Sequence, residues 1–566
     1  MENEAYVGLA NKISGDADSL TTQQNSAVEA FLLCGTVASL LVSCIVWSLH
    51  KQAWMDEIFT WRELSDPSLW HLYSAIQHGA DGGMPVFYTT GWLWAKVFGT
   101  GVLALRLYSS IAMSAALLIT WKTLRRFYGM WATAFGVLMV WGTSGLLLDQ
   151  NAEARFYGLF MLVVAIAIDI YSQLVVQAAP KLRLLLLSTF CQAVLVLTHV
   201  LGIIYGGWIL MALALTDAGK RRFRPRVYLF HAAGWLALLL WIPAIQASIA
   251  AGRPHGWIVM PNIKFLVNTY LFDAAAPWLS LLERHSNKQL FQIVSYGARF
   301  VMLVLLAAIL LLGLRKLATT GERNSYAPRR ALLLVAYLIL CTPLLLFVLS
   351  HLITPVFVPR YLLPCGIALA IVLADFSDGI GVDTPTFPSR ARGWIAGLLA
   401  ISPVISALAL PPLAVSWEYL DVQRLDRVTS PNIAVVAGWQ EDFAKLMRFS
   451  HDPPNHYYFL LDWPAALAGP RSFVLDFHLM SAYREVGYYA QNIQDKNTFL
   501  CSHTDFFVLD AHPLAKDHEG LSWFDLAVRN MPQFEWKILN SFDAPQVQRN
   551  LITVHRKYPL PGCKQP

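Results

Sequence analysis

Long apolar segments, separated by short polar stretches, dominate the chain up to residue 413. A helix needs about 20 residues to cross the hydrocarbon core of a bilayer, and eleven segments approach or exceed that length. The pattern therefore predicts a polytopic α-helical membrane protein with about eleven transmembrane helices. The segments are residues 30–49, 102–124, 130–148, 156–176, 184–200, 201–215, 227–249, 293–314, 331–349, 361–376 and 394–413. Only Thr198 and His199 interrupt the fifth and sixth segments, so one long helix is an alternative there.

The hydrophobic pattern changes after residue 413. Short apolar runs at residues 433–437, 457–461, 506–509 and 551–554 are typical of strands, and residues 441–449 are typical of a helix. We therefore predict a transmembrane domain over residues 1–413 and a soluble α/β domain over residues 414–566.

The distribution of Lys and Arg predicts the orientation of the helices. If the N-terminus is cytoplasmic, every basic cluster between apolar segments falls on the cytoplasmic side, as membrane topology favours. This holds only if residues 85–98 form an amphipathic or re-entrant piece on the outer surface rather than a span. The C-terminal domain then lies outside the cytoplasm.

Composition supports the same class of protein. Hydrophobic residues make up 56% of the 566 residues and charged residues 14%, which is too apolar for a soluble globular protein of this length. The net charge of +6 comes from clusters typical of cytoplasmic loops, and we see no signature of nucleic-acid binding. Outside the apolar segments lie Cys501 and Cys563, which could form one disulfide.

The first candidate for chemistry is the acidic pair Asp56-Glu57, directly after the first apolar segment. An ionised side chain near lipid is energetically costly unless a positively charged group pairs with it, so the pair suggests a functional role. The alternative is that Asp56 and Glu57 are ordinary carboxylates of an exposed loop. A partly desolvated carboxylate among Trp54 and Trp61 would be a suitable general base for a hydroxyl group. We predict that Asp56 is this base and that Glu57 either assists it or is simply exposed.

The second candidate is the polar turn between the third and fourth segments, which contains Asp149, Glu153, Arg155 and Tyr157. Arg155 could bind a phosphate group with its planar guanidinium, or it could reach toward lipid headgroups. Glu153 could orient Arg155 or help to position a substrate.

Three further residues lie at the same predicted outer level. His199 ends the fifth segment, and Arg360 and Tyr361 begin the tenth. His199 is a weaker candidate for a phosphate contact, whereas Arg155 and Arg360 could flank one anion; an interfacial Arg-Tyr anchor is the alternative. Arg253 and His255 are weaker candidates of the same type.

These motifs, in this order, resemble the GT-C glycosyltransferases, specifically the bacterial protein-mannosyltransferase-like and aminoarabinose-transferase-like group that uses polyprenyl-phosphate sugars. Asp56-Glu57 resembles the acidic pair of the first outer loop in that group, and residues 151–158 resemble its Gln-Glu-Ala-Arg-Tyr signature. Residues 84–88, Leu105-Arg106-Leu107, Thr198-His199 and residues 359–364 resemble further family segments. Met84 departs from the pattern, because relatives commonly carry Pro there.

The resemblance implies a membrane glycosyltransferase that moves a sugar from a polyprenyl-phosphate donor to an acceptor hydroxyl of a protein, glycan or lipid. It implies an inverting reaction at the outer face of the bacterial cytoplasmic membrane, with Asp56 as the base and the arginines stabilising the leaving phosphate. Relatives differ in whether a divalent metal takes part, so no metal ligand and no cofactor is assigned.

Two other classes remain open. A transporter or lipid flippase would also have many spans, and Asp169 inside the fourth segment is a charge of the kind that transporters carry at mid-membrane. A receptor or scaffold would leave the acidic and basic turns unexplained. The chain has no GxxxxGK[ST] loop, no GxGxxG after a strand, no HExxH and no GxSxG, so a soluble nucleotide donor has no recognisable binding motif.

Overall fold

A computed structural model describes residues 2–252, 258–270, 288–319, 327–409, 419–452, 456–469, 471–513, 521–544 and 547–563. The helices of the first part are α1 (Glu2–His50), α2 (Met55–Leu64), α3 (Leu69–Gln77), α4 (Pro85–Phe98), α5 (Val102–Arg125), α6 (Met130–Thr143), α7 (Gly145–Asn151), α8 (Tyr157–Val176), α9 (Leu182–Thr198), α10 (Gly202–Gly219), α11 (Pro225–Ala233), α12 (Ile242–Ala251), α13 (Ile263–Tyr270), α14 (Lys288–Thr319), α15 (Ala327–Leu340), α16 (Thr342–Leu352), α17 (Cys365–Gly379) and α18 (Ser389–Ala409). Short 3₁₀ helices occupy Gly234–Trp241 and Pro359–Leu362.

Each of the eleven predicted segments coincides with one helix or with consecutive helices, but not all are long enough to cross a bilayer. Within the described residues, eight helical segments pass by length and hydropathy, or nine if α6 and α7, bent by 69°, count as one span. Two predicted segments are shorter helices, α9 with 17 residues and α17 with 15. The protein is a polytopic membrane protein, as predicted.

Local polar groups set the breaks between helices. At the bend between α6 and α7, the Ser144 hydroxyl accepts a hydrogen bond from Leu147 N (3.2 Å), which caps the new helix. At the end of α9, His199 is extended and its Nδ1 accepts from Leu201 N (3.1 Å). The single long helix considered for residues 184–215 is therefore two helices, because His199 uses its ring to satisfy backbone that a continuous helix would have paired internally.

Residues 85–98 form a separate short helix, α4, as the orientation argument requires. Pro85 occupies its first turn, where a missing N–H costs nothing, and 14 residues are too few to span. One side of α4 buries Phe87 and Tyr88, while Leu93 and Val97 stay exposed. The helix is therefore too short to span and leaves apolar side chains exposed on one side; that it lies on the outer surface stays a prediction.

The C-terminal part is a small α/β unit. Its elements are α19 (Val422–Val428), β1 (Ala434–Ala437), α20 (Gln440–Phe449), β2 (Tyr457–Leu461), α21 (Trp463–Ala468), α22 (Arg471–Glu485), β3 (Ile493–Asp495), α23 (Lys496–Ser502), β4 (Asp505–Pro513), α24 (Trp523–Ala527), β5 (Phe534–Ser541) and β6 (Val547–Arg556). The sheet has the order β3-β2-β1-β4-β6-β5, parallel from β3 to β4 and antiparallel beyond it. The predicted boundary at residues 413–414 lies outside the described residues.

The C-terminal unit shares a hydrophobic core with the loop that follows α1. Ile58 and Phe59 of α2 belong to the same buried cluster as the strands and helices of the sheet. The ring of Phe59 meets the ring of Tyr483 edge to face, with centroids 5.2 Å apart. Because α2 packs on this domain on one side and on the membrane helices on the other, its position depends on both.

The structure contains the disulfide that the cysteine positions allowed. Cys501 and Cys563 are bonded, which ties the C-terminal tail to α23 across 62 residues of chain. Such a bond restricts the unfolded chain, and the restriction grows with the length of the closed loop.

We expect Cys563→Ser to lower the free energy of unfolding of the C-terminal domain by about 4 kcal/mol, the loop-closure value for a loop of this length. Thermal unfolding of the purified protein, with and without reductant, measures this. Reductant should lower the Tm of the wild type and leave that of Cys563→Ser unchanged; equal Tm values without reductant would contradict the prediction.

Candidate active site

Four chain segments meet around Asp56. They are the end of α1, the first turn of α2, the turn between α7 and α8, and the 3₁₀ helix Pro359–Leu362. Close packing of α5 on α8 fixes one side. A Cβ at Gly158 would overlap the carbonyl oxygen of Ser109, so the two backbones touch there, and the Ser109 hydroxyl donates to Arg155 O (2.7 Å). The turn that carries Arg155 is therefore held directly against α5.

Glu57 makes a buried two-point ion pair. Its carboxylate accepts from Arg106 Nε (2.7 Å) and Nη2 (2.6 Å), and both side chains are at most 1% exposed. Glu57 Oε1 also accepts from Ala154 N (2.9 Å). Burial alone would raise the pKa of Glu57, but the Arg106 guanidinium lowers it below the usual value.

This arrangement gives Glu57 a structural task. Its two oxygens join α2 to α5 and to the turn before α8, so the carboxylate is occupied and does not face a substrate. Of the two roles considered for Glu57, assistance to Asp56 and simple exposure, the geometry favours the first, through position rather than direct chemistry. Its predicted catalytic role stays a prediction.

Asp56 is held far more loosely than its neighbour. Its Oδ2 lies 3.5 Å from Arg360 Nη2 and 3.9 Å from Arg155 Nε, and the side chain is 19% exposed. Among the described residues, Asp56 Oδ1 accepts no hydrogen bond. Two cations therefore lie near one oxygen of this carboxylate, and the other oxygen is left without a hydrogen-bond donor among the described residues.

Arg155 is fixed by groups that the sequence analysis did not select. Its Nη1 donates to Thr60 Oγ1 (2.8 Å), to Asp81 Oδ2 (3.1 Å) and to Asp56 O (3.3 Å). Its Nε is buried and has no hydrogen-bond partner in the described part of the chain. One edge of the guanidinium is thus anchored, and Nε faces toward Asp56.

The Glu153 side chain is paired with Lys51, so a role in orienting Arg155 or positioning a substrate stays a prediction. Glu153 Oε1 accepts from Lys51 Nζ (3.0 Å), which also donates to Asp149 Oδ1 (3.0 Å). Lys51 takes both carboxylates because it is the cation nearest to them, at the end of α1, whereas Asp81 occupies Arg155. Burial raises the pKa of Glu153 to about 7, with Lys51 opposing the change.

Arg360 lies over aromatic rings. Its guanidinium carbon is 5.1 Å from the ring centroid of Trp54 and 5.9 Å from that of Tyr157. Such stacking holds a planar cation in one orientation. Arg360 and Arg155 therefore both approach Oδ2 of Asp56. That the two cations flank a phosphate stays a prediction.

His199 lies beneath this point in an aromatic cluster. Its ring centroid is 4.9 Å from those of Phe156, Phe160 and Tyr361. Burial and the nearby arginines lower the pKa of His199 to about 3, so the imidazole is neutral at pH 7. Because Nδ1 accepts from Leu201 N, the ring proton is on Nε2, which leaves His199 a hydrogen-bond donor.

The structure therefore brings Asp56, Arg155, Tyr157, Arg360 and Tyr361 together with His199, and it places Asp149 and Glu153 around Lys51 beside them. Sequence reasoning missed Lys51, Asp81 and Arg106 as site residues. Arg106 carried a usable signal, since a charged residue within an apolar segment needs a buried partner. Arg253 and His255 lie outside the described residues.

Asp169, the charge that left a transporter open, has a structural partner. Its Oδ1 lies 2.7 Å from Arg126 Nη1 and accepts from Thr123 Oγ1 (2.8 Å). The pair joins α8 to the end of α5, at the opposite end of these helices from Asp56. Within the described residues, no group of three or more His, Cys, Asp and Glu side chains has the geometry to hold a metal ion.

We expect Glu57→Gln to lower the free energy of unfolding by about 3 to 5 kcal/mol, because it leaves the Arg106 charge buried without its counter-ion. Thermal unfolding in detergent measures the change, and Asp56→Asn is the matched control that should keep the wild-type Tm. The double variant Glu57→Gln/Arg106→Leu should recover part of the loss; an unchanged Tm in Glu57→Gln would refute the structural role.

No protein-family model and no curated protein matches the chain. Among solved structures, ArnT from Cupriavidus metallidurans bound to undecaprenyl phosphate matches with a TM-score of 0.51 and 12% sequence identity, over 94% of this chain and 99% of that one. The apo form of the same protein matches with a TM-score of 0.43 and 11% identity, over 91% and 97% of the two chains. The chain therefore has the fold of ArnT, the GT-C fold that the sequence resemblance implied.

Proposed function

We propose that the protein is a membrane glycosyltransferase that transfers a hexosyl or pentosyl group from a polyprenyl-phosphate donor to an acceptor hydroxyl. The observation that carries the proposal is the loosely held carboxylate of Asp56 between Arg155 and Arg360. The site combines a base for a hydroxyl group with two cations for a phosphate. The ArnT crystal structure with undecaprenyl phosphate supports a lipid phosphate as the carrier.

The proposed reaction is a direct displacement. The acceptor hydroxyl gives its proton to Asp56 as its oxygen attacks the anomeric carbon from the face opposite the phosphate. The bond between that carbon and the phosphate oxygen breaks, and its electron pair leaves with the polyprenyl phosphate. Attack from the opposite face inverts the configuration of the sugar.

The arginines would stabilise the charge that develops on the leaving phosphate. Arg155 Nε and the stacked Arg360 guanidinium are cationic donors in a partly dehydrated site, where such interactions are stronger than in water. Neutral His199 could donate a further hydrogen bond from Nε2.

Several residues of the prediction have supporting roles in this scheme. Tyr157 and Tyr361 line the aromatic side on which Arg360 lies, and Asp149 and Glu153 hold Lys51 at the end of α1. A divalent metal is not assigned. The acceptor could be a protein, a glycan or a lipid.

The proposed location is the bacterial cytoplasmic membrane, with the site and the C-terminal domain on the periplasmic side. Two observations support this orientation. The basic clusters between helices favour a cytoplasmic position at the opposite end of the helices. The Cys501–Cys563 disulfide favours an oxidising compartment for the C-terminal domain.

We expect Asp56→Asn to abolish sugar transfer while expression and Tm stay unchanged, because the amide keeps the size of the side chain but cannot accept the hydroxyl proton. The assay offers a panel of polyprenyl-phosphate sugars and follows transfer in reconstituted membranes. Asp495→Asn, on the exposed surface of the C-terminal domain, is the matched control. Activity in Asp56→Asn, or transfer from a soluble nucleotide sugar alone, would contradict the proposal.

For Arg155→Ala and Arg360→Ala we expect a loss of roughly 30-fold or more in kcat/KM for the donor, the usual effect of removing a charged partner from a partly buried site. Arg484→Ala, at a partly exposed position of the C-terminal domain, serves as the control for loss of an arginine. Wild-type donor kinetics in both site variants would rule out these residues as the phosphate site.

A further inference from the structure

A second carboxylate, Glu63, is buried between the membrane part and the C-terminal domain. It lies at the end of α2, two turns from Asp56, and is fully buried. The Tyr483 hydroxyl of α22 donates to Glu63 Oε1 (3.2 Å). A carboxyl group of the site region is therefore in direct contact with the C-terminal domain.

Glu63 lacks the partners that a buried carboxylate normally needs. No Lys, Arg or His forms an ion pair with it in the described part of the chain, and its Oε2 is buried without a hydrogen-bond partner there. Burial, and next the negative charge of Asp81, raise the pKa of Glu63 well above its usual value. A protonated Glu63 removes the cost of an unpaired buried charge.

Tyr88 is the residue that we place between Glu63 and Asp81 in this path. Its one hydroxyl proton is donated to Asp81 Oδ2 (2.5 Å), and the hydroxyl lies close enough to Glu63 for the two groups to interact. A proton on Glu63 Oε2 would supply a donor for the Tyr88 oxygen, so every hydroxyl and carboxyl along this path would have a partner of the right kind. An ionised Glu63 would instead set an acceptor against an oxygen that has no proton left to give.

Asp81 carries the connection to the candidate active site. It accepts from Arg155 Nη1 (3.1 Å), and it is the carboxylate that anchors one edge of this guanidinium. Because Arg155 Nε lies 3.9 Å from Asp56 Oδ2, a shift of Asp81 moves the cation relative to the candidate base.

We propose that Glu63 is a neutral positioning residue through which the C-terminal domain orients Arg155, along the path Tyr483, Glu63, Tyr88, Asp81 and Arg155. In this path Asp81 is the ion-pair partner of Arg155. The proposal rests on the proposed function for what Arg155 binds. It gives the C-terminal domain a task in the reaction besides any contact with an acceptor.

Amide variants of Glu63 and Asp81 distinguish the proposed path from a general requirement for an acidic residue at each position. Glu63→Gln keeps an acceptor for Tyr483 and a donor for Tyr88, whereas Glu63→Ala keeps neither. We expect Glu63→Ala to lower kcat/KM for the donor by between about 10- and 100-fold, the range for a misplaced site group, and Glu63→Gln to restore most of this loss. Asp81→Asn removes the carboxylate that pairs with Arg155 Nη1, so we expect it to lower kcat/KM for the donor, unlike Glu63→Gln.

The contribution of the C-terminal domain is tested by removing single hydroxyl groups. Tyr483→Phe deletes the donor to Glu63 and should lower kcat/KM for the donor by about tenfold. Tyr489→Phe is the matched control, since Tyr489 is stacked on Tyr483 and its hydroxyl has no hydrogen-bond partner in the described residues. The Tm of each variant separates misfolding from misplacement of Arg155.

Binding of undecaprenyl phosphate alone, measured by intrinsic tryptophan fluorescence in detergent micelles, gives a readout without turnover. Weaker binding in Tyr483→Phe and Glu63→Ala, near wild-type binding in Glu63→Gln and Tyr489→Phe, and unchanged Tm values would support the proposal. Equal losses in Glu63→Gln and Glu63→Ala, or identical behaviour of Tyr483→Phe and Tyr489→Phe, would overturn it. If the wild type binds undecaprenyl phosphate but transfers no sugar, the proposed function fails while this comparison still decides the role of Glu63.

Discussion

The buried ion pair between Glu57 and Arg106 is the constraint on which the candidate site depends. It joins the start of α2 to a membrane helix and to the turn before α8, all within a region that water does not reach. A buried pair of this kind is costly to assemble and costlier to break, because either partner alone would be an uncompensated charge. The position of Asp56, the next residue along the chain, follows from it.

The carboxylates around this ion pair differ in how closely cations approach them. Glu57, Asp81 and Glu153 are each occupied by a cation at short distance, whereas Asp56 is 3.5 Å or more from the nearest arginine nitrogen. A carboxylate that is stabilised but not saturated can hold its charge and still accept a proton. The difference between adjacent residues 56 and 57 therefore comes from partners, not from side-chain chemistry.

The contact between α2 and the C-terminal domain couples the position of the domain to that of the candidate active site. Phe59 and Tyr483 pack together in a shared core, and Tyr483 also reaches the buried carboxyl of Glu63. A domain that touches α2 in this way can influence the geometry of Arg155 without contributing a residue to the site itself. The proposed role of Glu63 is one physical form of this influence.

The sequence by itself determined the class of protein, the order of its helices, the short non-spanning segment at α4 and the Asp56, Arg155 and Arg360 candidates, because hydropathy and isolated charges are local properties of the chain. It did not predict β3 and β5, since β3 has only three residues and the apolar residues of the largely exposed β5 alternate with polar ones instead of forming a continuous run. Only the tertiary structure decided which cation forms an ion pair with which carboxylate. Lys51 and Glu153 are about a hundred residues apart, as are Arg155 and Asp56, and no local pattern encodes a pairing over that distance.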